Sequence, residues 1–410
     1  MTFGRALGHM YNTRLDGLTE YPFQRLTALL AGIEPPAGES IVMSIGEPQH
    51  APPDLLHKTL ALSPLDWGKY PPTPGSPDYR AAVAAWCATR YRLPAGFLDP
   101  EKHVLPVAGS REGLFMAAQL CVPPQKRGKT PTVLMPNPFY QVYFGAAVMN
   151  GADPIFVPAT KATHFMPDYA SVAVADLDRA AMAYLCTPAN PQGTVASLDL
   201  LKDMIHLARK HDFILVSDEC YSEIYTDAPP AGALEACAAL GEGLANVLVF
   251  NSLSKRSSVP GLRAGFVAGD ATLIAKFQKL RAHGGAVAPL PVLAAAAALW
   301  RDEAHVEDNR RLYRAKADDA AQIFGKAFDF YRPAGGFFLW LNVGDGEAAT
   351  KKLWREAGVK VLPGGYLARA TLSANDNPGS AYIRVALVHD RERTKAALIR
   401  MKHTLDSLSQ

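Results

Sequence analysis

Residues 104–268 alternate short, continuous apolar runs with longer segments in which apolar and polar residues are mixed. A continuous apolar run of this length is typical of a strand that is buried on both faces. In longer segments, such as 112–120 and 198–211, apolar residues recur every three or four positions, which predicts amphipathic helices. The pattern therefore predicts an α/β unit with a mainly parallel sheet of seven strands, at 104–108, 132–136, 154–157, 182–186, 213–217, 247–251 and 265–268.

After residue 291 the pattern changes to a long helical segment that continues to residue 324. At 410 residues the chain is longer than one compact core usually holds, so two domains are expected. We predict a large domain over 45–290 and a smaller α+β domain formed by 291–410 together with 1–44. The strands predicted for the smaller domain are 337–342, 359–362 and 382–388.

Composition narrows the classes of function. A formal net charge of +3 and a charged fraction of 20% describe an ordinary protein surface without the basic blocks that follow a nucleic-acid backbone, so no nucleic-acid partner is expected. Five scattered cysteines indicate neither a disulfide framework nor a CxxC metal site, and no metal is expected. The first residues lack the apolar segment of an export signal, and the longest apolar run, 289–300, is too short to cross a bilayer. These features predict a reduced, cytoplasmic protein.

Positive charge and small hydroxyl residues cluster in the segment NSLSKRSSVPGLRAGFV, which joins the last two predicted strands of the large sheet. Ser252, Ser254, Lys255 and Arg263 together would satisfy a phosphate, because arginine offers a planar fork of donors and serine a donor at short reach. Ligands of open α/β sheets lie at the carboxyl ends of the strands, which is where this segment begins. The segment therefore predicts a phosphate-binding site.

A second group of this kind follows the first predicted strand, where Gly109, Ser110 and Arg111 open a helix. Backbone N–H groups and the positive end of the helix dipole attract an anion at such a position. Taken alone, a Gly-Ser pair at a helix start also fits a simple cap or turn. Its place beside the other strand ends favours a second phosphate-binding element.

Polar residues also follow two central strands. Asp218 and Tyr221 come after the strand at 213–217, where a buried carboxylate needs a cationic partner. Asn190 lies in a turn rich in proline after the strand at 182–186. Each residue alone fits a cap, a structural ion pair or a loop. Together with Lys255 and the phosphate site they indicate pyridoxal 5'-phosphate, with neighbouring cations expected to lower the pKa of the Lys255 amine.

Four ordered motifs resemble the signatures of the fold type I, class I aminotransferases. The lysine of SLSK is followed eight residues later by the arginine of PGLRAG, and the motifs TPANPQGT, SDECY and IRVAL begin at residues 187, 217 and 383. The resemblance extends from about residue 45 to residue 388. It implies the aspartate aminotransferase-like fold of pyridoxal-phosphate-dependent transferases, this cofactor, and transfer of amino groups between small amino acids and keto acids.

The resemblance also implies roles around the cofactor. Lys255 would form the Schiff base with the cofactor aldehyde and move the proton during transfer. Asp218 would keep the pyridine nitrogen protonated, and Asn190 and Tyr221 would hydrogen-bond the phenolic oxygen. Lys255, Asp218 and Tyr221 are thus the predicted catalytic residues. The phosphate would be held by Gly109, Ser110, Arg111, Ser252, Ser254 and Arg263.

An aromatic residue stacks on the cofactor ring in this family, and Tyr140 is at that position, with Phe139 one residue away as the alternative. Tyr70, in KYPPTPGSPDYR, resembles the residue that reaches the phosphate from the neighbouring subunit, so a homodimer is implied. The substrate α-carboxylate would be bound by Arg384, assisted by Asn190 and by the backbone amide of Gly46.

Within the family, three segments look most like the succinyldiaminopimelate aminotransferases: SLSKRSSVPGLRAGFVAGD, RPAGGFFLWL and YPPTPGSPDYR. The implied reaction moves an amino group from glutamate to N-succinyl-2-amino-6-oxopimelate in diaminopimelate and lysine synthesis. Such an acceptor needs a second cation in the site, and the candidates are Arg111, Arg256, Arg14 and Arg25. The alternatives are an acceptor such as oxaloacetate or an aromatic keto acid and, on the same fold, a carbon–sulfur lyase.

Overall fold

The structure is a computed structural model that describes residues 11–62, 64–370 and 376–407. The remaining positions of the two predicted domains lie outside the described residues. The strands, in chain order, are β1 Ile41–Val42, β2 Val104–Val107, β3 Thr132–Asn137, β4 Asp153–Pro158, β5 Ala180–Cys186, β6 Ile214–Asp218, β7 Val247–Ser252, β8 Gly265–Gly269, β9 Phe338–Asn342, β10 Val359–Lys360, β11 Leu362–Pro363 and β12 Tyr382–Ala386.

Helices connect and cover these strands. Short 3₁₀ turns and one π turn, Leu353–Ala357, complete the regular structure. The helices are α1 Pro22–Leu29, α2 Asp54–Ala61, α3 Pro77–Arg90, α4 Pro100–His103, α5 Ser110–Cys121, α6 Gln141–Met149, α7 Val174–Leu177, α8 Leu198–Lys210, α9 Ala233–Leu240, α10 Leu253–Arg256, α11 Ala271–His283, α12 Leu290–Arg301, α13 Ala304–Phe324, α14 Gly346–Lys352 and α15 Arg391–Asp406.

Seven strands form one large sheet in the order β2-β8-β7-β6-β5-β3-β4. β3 pairs in parallel with β4 and β5, and the parallel pairing continues through β6 to β7. β8 is antiparallel to both of its neighbours, so β2 again has the direction of β7. All seven predicted strands are present, and the predicted mainly parallel arrangement is correct.

Both faces of the large sheet are buried, which explains why its strands read as unbroken apolar runs. In β7, Val247 and Val249 belong to one hydrophobic core, whereas Leu248 and Phe250 belong to another. Successive side chains of a strand point to opposite faces, so each strand contributes to two cores. Helices cover the sheet on both sides, as in other α/β folds.

A second sheet of three antiparallel strands has the order β11-β12-β9. Its register places Arg384 of β12 between Leu362 and Trp340 on the neighbouring strands. β1, close to the N-terminus, pairs in parallel with β10. The two sheets lie on either side of residue 290 in the sequence, and the division into domains at that residue stays a prediction.

Two predicted elements differ from the structure. The helical segment expected from 291 to 324 is two helices, because Asp302 has an extended backbone and accepts the backbone N–H of His305 as α13 begins. The strand expected at 359–362 is two short strands. β10 pairs with β1 and β11 pairs with β12, so consecutive residues join different sheets. Periodicity alone does not show such changes of partner.

The pairing of β7 with β8 requires glycine at position 269. Gly269 has φ of +152°, and a Cβ there would lie 2.0 Å from the backbone oxygen of Val247. We expect Gly269→Ala to lower the free energy of unfolding by about 3 kcal/mol, because backbone atoms cannot yield as a flexible side chain can. The matched control is Gly241→Ala at the end of α9. It has positive φ but open space around it, and the expected cost is about 1 kcal/mol.

Urea denaturation monitored by far-ultraviolet circular dichroism measures both variants. Equal unfolding midpoints for the two variants would contradict the close approach of β7 and β8.

Candidate active site

The polar residues predicted to bind a ligand meet along one edge of the large sheet. β2, β3, β5, β6 and β7 all have the same direction, so their carboxyl ends share that edge. β8 runs the other way, and Arg263 reaches the same edge because it lies just before the start of β8. The residues face a cavity of about 530 Å³. Predicted residues that line it are Gly46, Ser110, Arg111, Tyr140, Asn190, Asp218, Tyr221, Ser252, Ser254, Lys255, Arg263 and Arg384.

Lys255 lies on the single turn α10, which follows β7 directly. Its Nζ donates a hydrogen bond of 2.5 Å to the backbone oxygen of Gly46 and lies 5.4 Å from the ring centre of Phe337. Burial lowers the pKa of the Lys255 amine to about 8, with a smaller effect in the same direction from Arg384. The expected lowering is therefore present, but burial is its main cause and the neighbouring cations are secondary.

Asp218 ends β6 and is fully enclosed. Its carboxylate accepts a hydrogen bond of 2.7 Å from the hydroxyl of Tyr143 and one of 3.3 Å from the backbone N–H of Cys220. Burial raises the pKa of this carboxyl, and the hydrogen bonds and the charge of Lys255 oppose the rise. Within the described part of the chain Asp218 takes part in no ion pair, so the protein does not supply the cationic partner expected from the sequence. A buried carboxylate of this kind fits a protonated ring nitrogen.

The predicted phosphate corner is formed by α10, the start of α5 and the turn before β8. Ser252 accepts the backbone N–H of Ser254 at 3.1 Å, and their hydroxyls lie 2.9 Å apart. Arg263 donates to the backbone oxygen of Ala108 at 3.0 Å, so its guanidinium crosses to the start of α5. A Cβ on Gly109 would lie 2.2 Å from that guanidinium. Glycine at 109 therefore permits the close packing of the two predicted phosphate elements.

Arg384 extends from the small sheet into the same cavity. It donates to the side-chain oxygen of Asn190 at 3.0 Å and to the backbone oxygen of Ser44 at 2.7 Å. Burial lowers the pKa of its guanidinium to about 10, and its Nε has no hydrogen-bond partner in the described residues. The guanidinium also lies 4.4 Å from the ring centre of Phe338. A buried guanidinium without a carboxylate partner is suited to bind a carboxylate ligand.

The remaining predicted residues have different surroundings. Tyr140 lines the cavity and accepts a 2.7 Å hydrogen bond from Nε of Arg111, whereas Phe139 is 1% exposed and packs on Phe156 in the core. The geometry thus favours Tyr140 over Phe139 as the residue that faces a ligand. Tyr70 is fully exposed and does not line the cavity.

The four arginines considered as binding a second anion differ in their surroundings. Arg256 is buried away from the cavity, donates to the backbone oxygen of Leu299 at 2.7 Å and forms an ion pair with Glu303. Arg14 bonds to the backbone of Met149, and Arg25 covers the ring of Tyr366. Of the four candidates, Arg111 alone lines the cavity.

Sequence reasoning did not find several residues of the site. Tyr21, Phe23, Glu47 and Gln141 line the cavity, and Tyr143 supports Asp218 from behind. Tyr143 lies one helical turn after Tyr140, which is a spacing that could have identified it. The first residues of α1 reach the site through tertiary packing, and their local sequence carries no comparable pattern.

Other classes of site are not found in the described residues. No group of three or more histidine, cysteine, aspartate or glutamate side chains is arranged to hold a metal ion there. In the same ranges, no helix combines the length and the apolar character needed to span a bilayer. The five cysteines are free thiols.

Comparison with known proteins agrees with this geometry. A model of the family "Aminotransferase class I and II" matches residues 39–400. An aminotransferase structure from Neisseria meningitidis Z2491 has a TM-score of 0.90 and 42% identity, covering 98% of this chain and 100% of its own. The 4-dedimethylamino-4-oxo-anhydrotetracycline transaminase of Streptomyces rimosus is 32% identical over 88% of this chain and 92% of its own. LL-diaminopimelate aminotransferase of Desulforudis audaxviator is 30% identical over 96% and 97%, respectively.

The predicted aspartate aminotransferase-like fold is confirmed by these similarities. The matched region includes the whole large sheet, the three-stranded sheet and every predicted cavity residue. The chain belongs to the class I and II aminotransferases, which depend on pyridoxal 5'-phosphate.

Proposed function

We propose that the chain transfers the amino group of glutamate to N-succinyl-2-amino-6-oxopimelate, forming N-succinyl-LL-2,6-diaminopimelate and 2-oxoglutarate. The observation that carries the proposal is that the cavity holds two guanidinium groups in addition to Arg263 of the phosphate corner, namely Arg384 on β12 and Arg111 on α5. Arg384 suits the carboxylate at the reacting carbon. Arg111 is hydrogen-bonded within the described residues through Nε, which leaves its terminal nitrogens for a second anion.

The relatives support a substrate with this carbon skeleton. One of them is an LL-diaminopimelate aminotransferase, and the proposed product is the N-succinyl derivative of the same diamino acid. The proposal that the substrate carries a succinyl group rests on the resemblance of the SLSK and RPAGG segments to the succinyldiaminopimelate aminotransferases. A second candidate is transfer that forms LL-diaminopimelate itself, because the relative's printed activity names the free compound.

Pyridoxal 5'-phosphate, when bound, supplies an aldehyde that takes up the amino group and a ring that withdraws electrons from the reacting carbon. Lys255 would bind it and move the substrate proton, since burial lowers the pKa of its amine and so favours the neutral form that acts as nucleophile and base. Asp218 supplies negative charge to the ring nitrogen. Tyr221 would donate to the phenolic oxygen, since burial raises the pKa of its phenol and the group keeps its hydrogen.

Binding of the substrate carboxylate engages Arg384 together with Asn190. The side-chain oxygen of Asn190 is used by Arg384, so its NH₂ group is directed elsewhere and is available to the phenolic oxygen or the carboxylate. The amide of Gly46 belongs to the same wall of the cavity. On the phosphate side, the N-terminus of α5 and the side chains of Ser252, Ser254 and Arg263 supply donors and positive charge.

We also propose that the active unit is a homodimer in which Tyr70 reaches the phosphate in the partner's site. Enzymes of this fold are typically dimeric. Tyr70 is completely exposed, and Leu62, Leu65 and Trp67 nearby in sequence are also largely exposed, which is unusual for a cluster of large apolar side chains. Contact with a second copy would bury them.

The substrate is tested most directly in the reverse direction. Amino donors are compared by kcat/KM with 2-oxoglutarate as acceptor, and the glutamate formed is measured. N-succinyl-LL-2,6-diaminopimelate should exceed aspartate and phenylalanine at least ~100-fold, since neither carries the distal anion at the same position. LL-diaminopimelate as the best donor would favour the second candidate. Pyruvate released from cystathionine would instead indicate a lyase, and Lys255→Ala serves as the inactive control.

Arg111 tests the second anion site. Arg111→Gln should raise KM for the N-succinyl donor about 10-fold or more, because a charge-assisted hydrogen bond contributes about 1.5–3 kcal/mol. KM for alanine, which has no distal anion, should change little. Arg25→Gln, which alters a cation outside the cavity, is the matched control. An equal effect on both donors, together with weaker cofactor binding, would assign Arg111 to the phosphate instead.

Tyr143 tests the support of Asp218. Tyr143→Phe removes a hydrogen bond that opposes the rise in the carboxyl pKa, so the pKa of Asp218 should rise further and its charge should be less available to the ring nitrogen. We expect kcat/KM to fall about 10-fold and cofactor affinity to weaken. Tyr184→Phe is the control, because Tyr184 stacks on Tyr143 but donates to the backbone of Leu114. Equal kcat/KM and equal cofactor affinity in the two variants would contradict a role of the Tyr143 hydroxyl in supporting Asp218.

A further inference from the structure

A line of hydrogen bonds runs from the backbone behind Lys255 to a second buried lysine outside the cavity. Nδ2 of Asn309 donates to the backbone oxygens of Lys255 and Arg256, at 3.0 and 3.2 Å. Oδ1 of Asn309 lies 2.8 Å from Nδ1 of His50. Nε2 of His50 lies 2.9 Å from Nζ of Lys316, which also donates to the backbone oxygen of His389 at 2.8 Å. We call these three side chains, Asn309, His50 and Lys316, the Asn–His–Lys line.

The direction of every bond in the line is determined by its first member. Backbone oxygens only accept, so the NH₂ group of Asn309 must face Lys255 and Arg256. Oδ1 therefore faces His50, and Nδ1 of His50 must carry the hydrogen. Burial and the charge of Lys316 lower the pKa of His50 to about 4, so the ring is neutral and its Nε2 accepts from Lys316. The hydroxyl of Ser258 also donates to Oδ1 of Asn309, at 3.3 Å, which agrees with the same orientation of the amide.

The line joins α10 to two other elements, α13 and the segment from Gly46 to His50. Asn309 and Lys316 lie on α13, and His50 lies four residues after Gly46, whose oxygen accepts from Nζ of Lys255. Lys255 is thus held at both ends, by Gly46 at its amine and by Asn309 at its backbone. His50 also packs on the ring of Tyr313 at 4.5 Å. The contacts fix the backbone of the turn that carries the lysine.

The chemical character of the line is unusual for a purely structural contact. Lys316 is 1% exposed and takes part in no ion pair within the described ranges, and burial lowers the pKa of its amine to about 7. Burying such a group is costly, and apolar side chains of similar size generally stabilise a fold as well or better. A role in holding Lys255 explains why polar groups occupy this position.

We infer that Asn309 and His50 are positioning residues for Lys255, acting through the backbone of α10, with Lys316 fixing the tautomer of His50. The inference rests on the proposed role of Lys255 but not on the identity of the amino acceptor. Loss of the line should let the Lys255 nitrogen shift toward water, which would favour its protonated form and raise the pKa that governs the cofactor's visible band.

The test uses the holoenzyme and follows the pH midpoint of the cofactor's visible absorbance band. Asn309→Leu and His50→Leu should each raise the midpoint by about one pH unit relative to the parent. The groups that face the Lys255 amine are unchanged in both variants, so a shift reports its position. They are Glu47, Arg111, Asp218, Cys220, Tyr221 and Arg384.

Two further variants separate positioning from general packing. His50→Asn places an amide NH₂ where Nδ1–H was, so it can still donate to Asn309 and should keep most of the parental midpoint. It also provides a test at this position if His50→Leu does not fold. Tyr313→Phe keeps the ring against His50 and removes no bond of the Asn–His–Lys line, so its midpoint should equal the parental one. The double variant of Asn309→Leu with His50→Leu should shift the midpoint no more than either single variant, because both break one line.

The experiment distinguishes failure of this inference from failure of the proposed role of Lys255. If Lys255 were not the cofactor-binding lysine, Lys255→Ala would retain the visible band, whereas the line variants keep the band and change its midpoint. A parental midpoint in Asn309→Leu, accompanied by a lower Tm, would show a structural role alone and overturn the inference. Additive shifts in the double variant would also overturn it.

Discussion

The active site depends on the burial of Asp218, which forms no ion pair within the described residues. Removing a carboxylate from water is costly, and here two hydrogen bonds, from Tyr143 and from the backbone of Cys220, are its direct compensation. Its position at the carboxyl end of a central strand places the uncompensated charge on the floor of the cavity. This carboxylate is the proposed partner of the positively charged cofactor ring, and the other polar residues of the cavity surround it.

The two sheets supply different residues to the cavity. Elements of the large sheet supply the anion-binding corner and the floor, and the small sheet supplies Arg384. The bond from Arg384 to Asn190 joins the two sheets directly across the cavity. A ligand that engages this guanidinium therefore contacts both parts of the fold at once. If Arg384 binds the substrate carboxylate, as proposed, that binding acts on a contact between the large sheet and the three-stranded sheet.

Much of this arrangement could be predicted from the sequence because it is local. Strands buried on both faces produce unbroken apolar runs, and ligand-binding groups follow directly after them, as Lys255 follows β7 and Asp218 ends β6. What could not be predicted depends on contacts between distant segments. Tyr143, on α6, bonds to Asp218 at the end of β6. The first residues of α1 line one wall of the cavity, and Asn309 bonds to the backbone of Lys255, 54 residues before it. The break between α12 and α13 was missed for a different reason, since a capping aspartate does not interrupt the apolar periodicity.

The hydrogen bond between the Lys255 amine and the oxygen of Gly46 ties the segment after β1 to the nitrogen that would hold the cofactor. The same amine cannot serve both the cofactor and that carbonyl in the same way. The segment after β1, which runs from Gly46 to His50, would exchange this contact with the amine when the cofactor binds to Lys255. Through His50 and Asn309 the same short segment also contacts the backbone of Lys255, so one stretch of five residues touches both ends of the lysine.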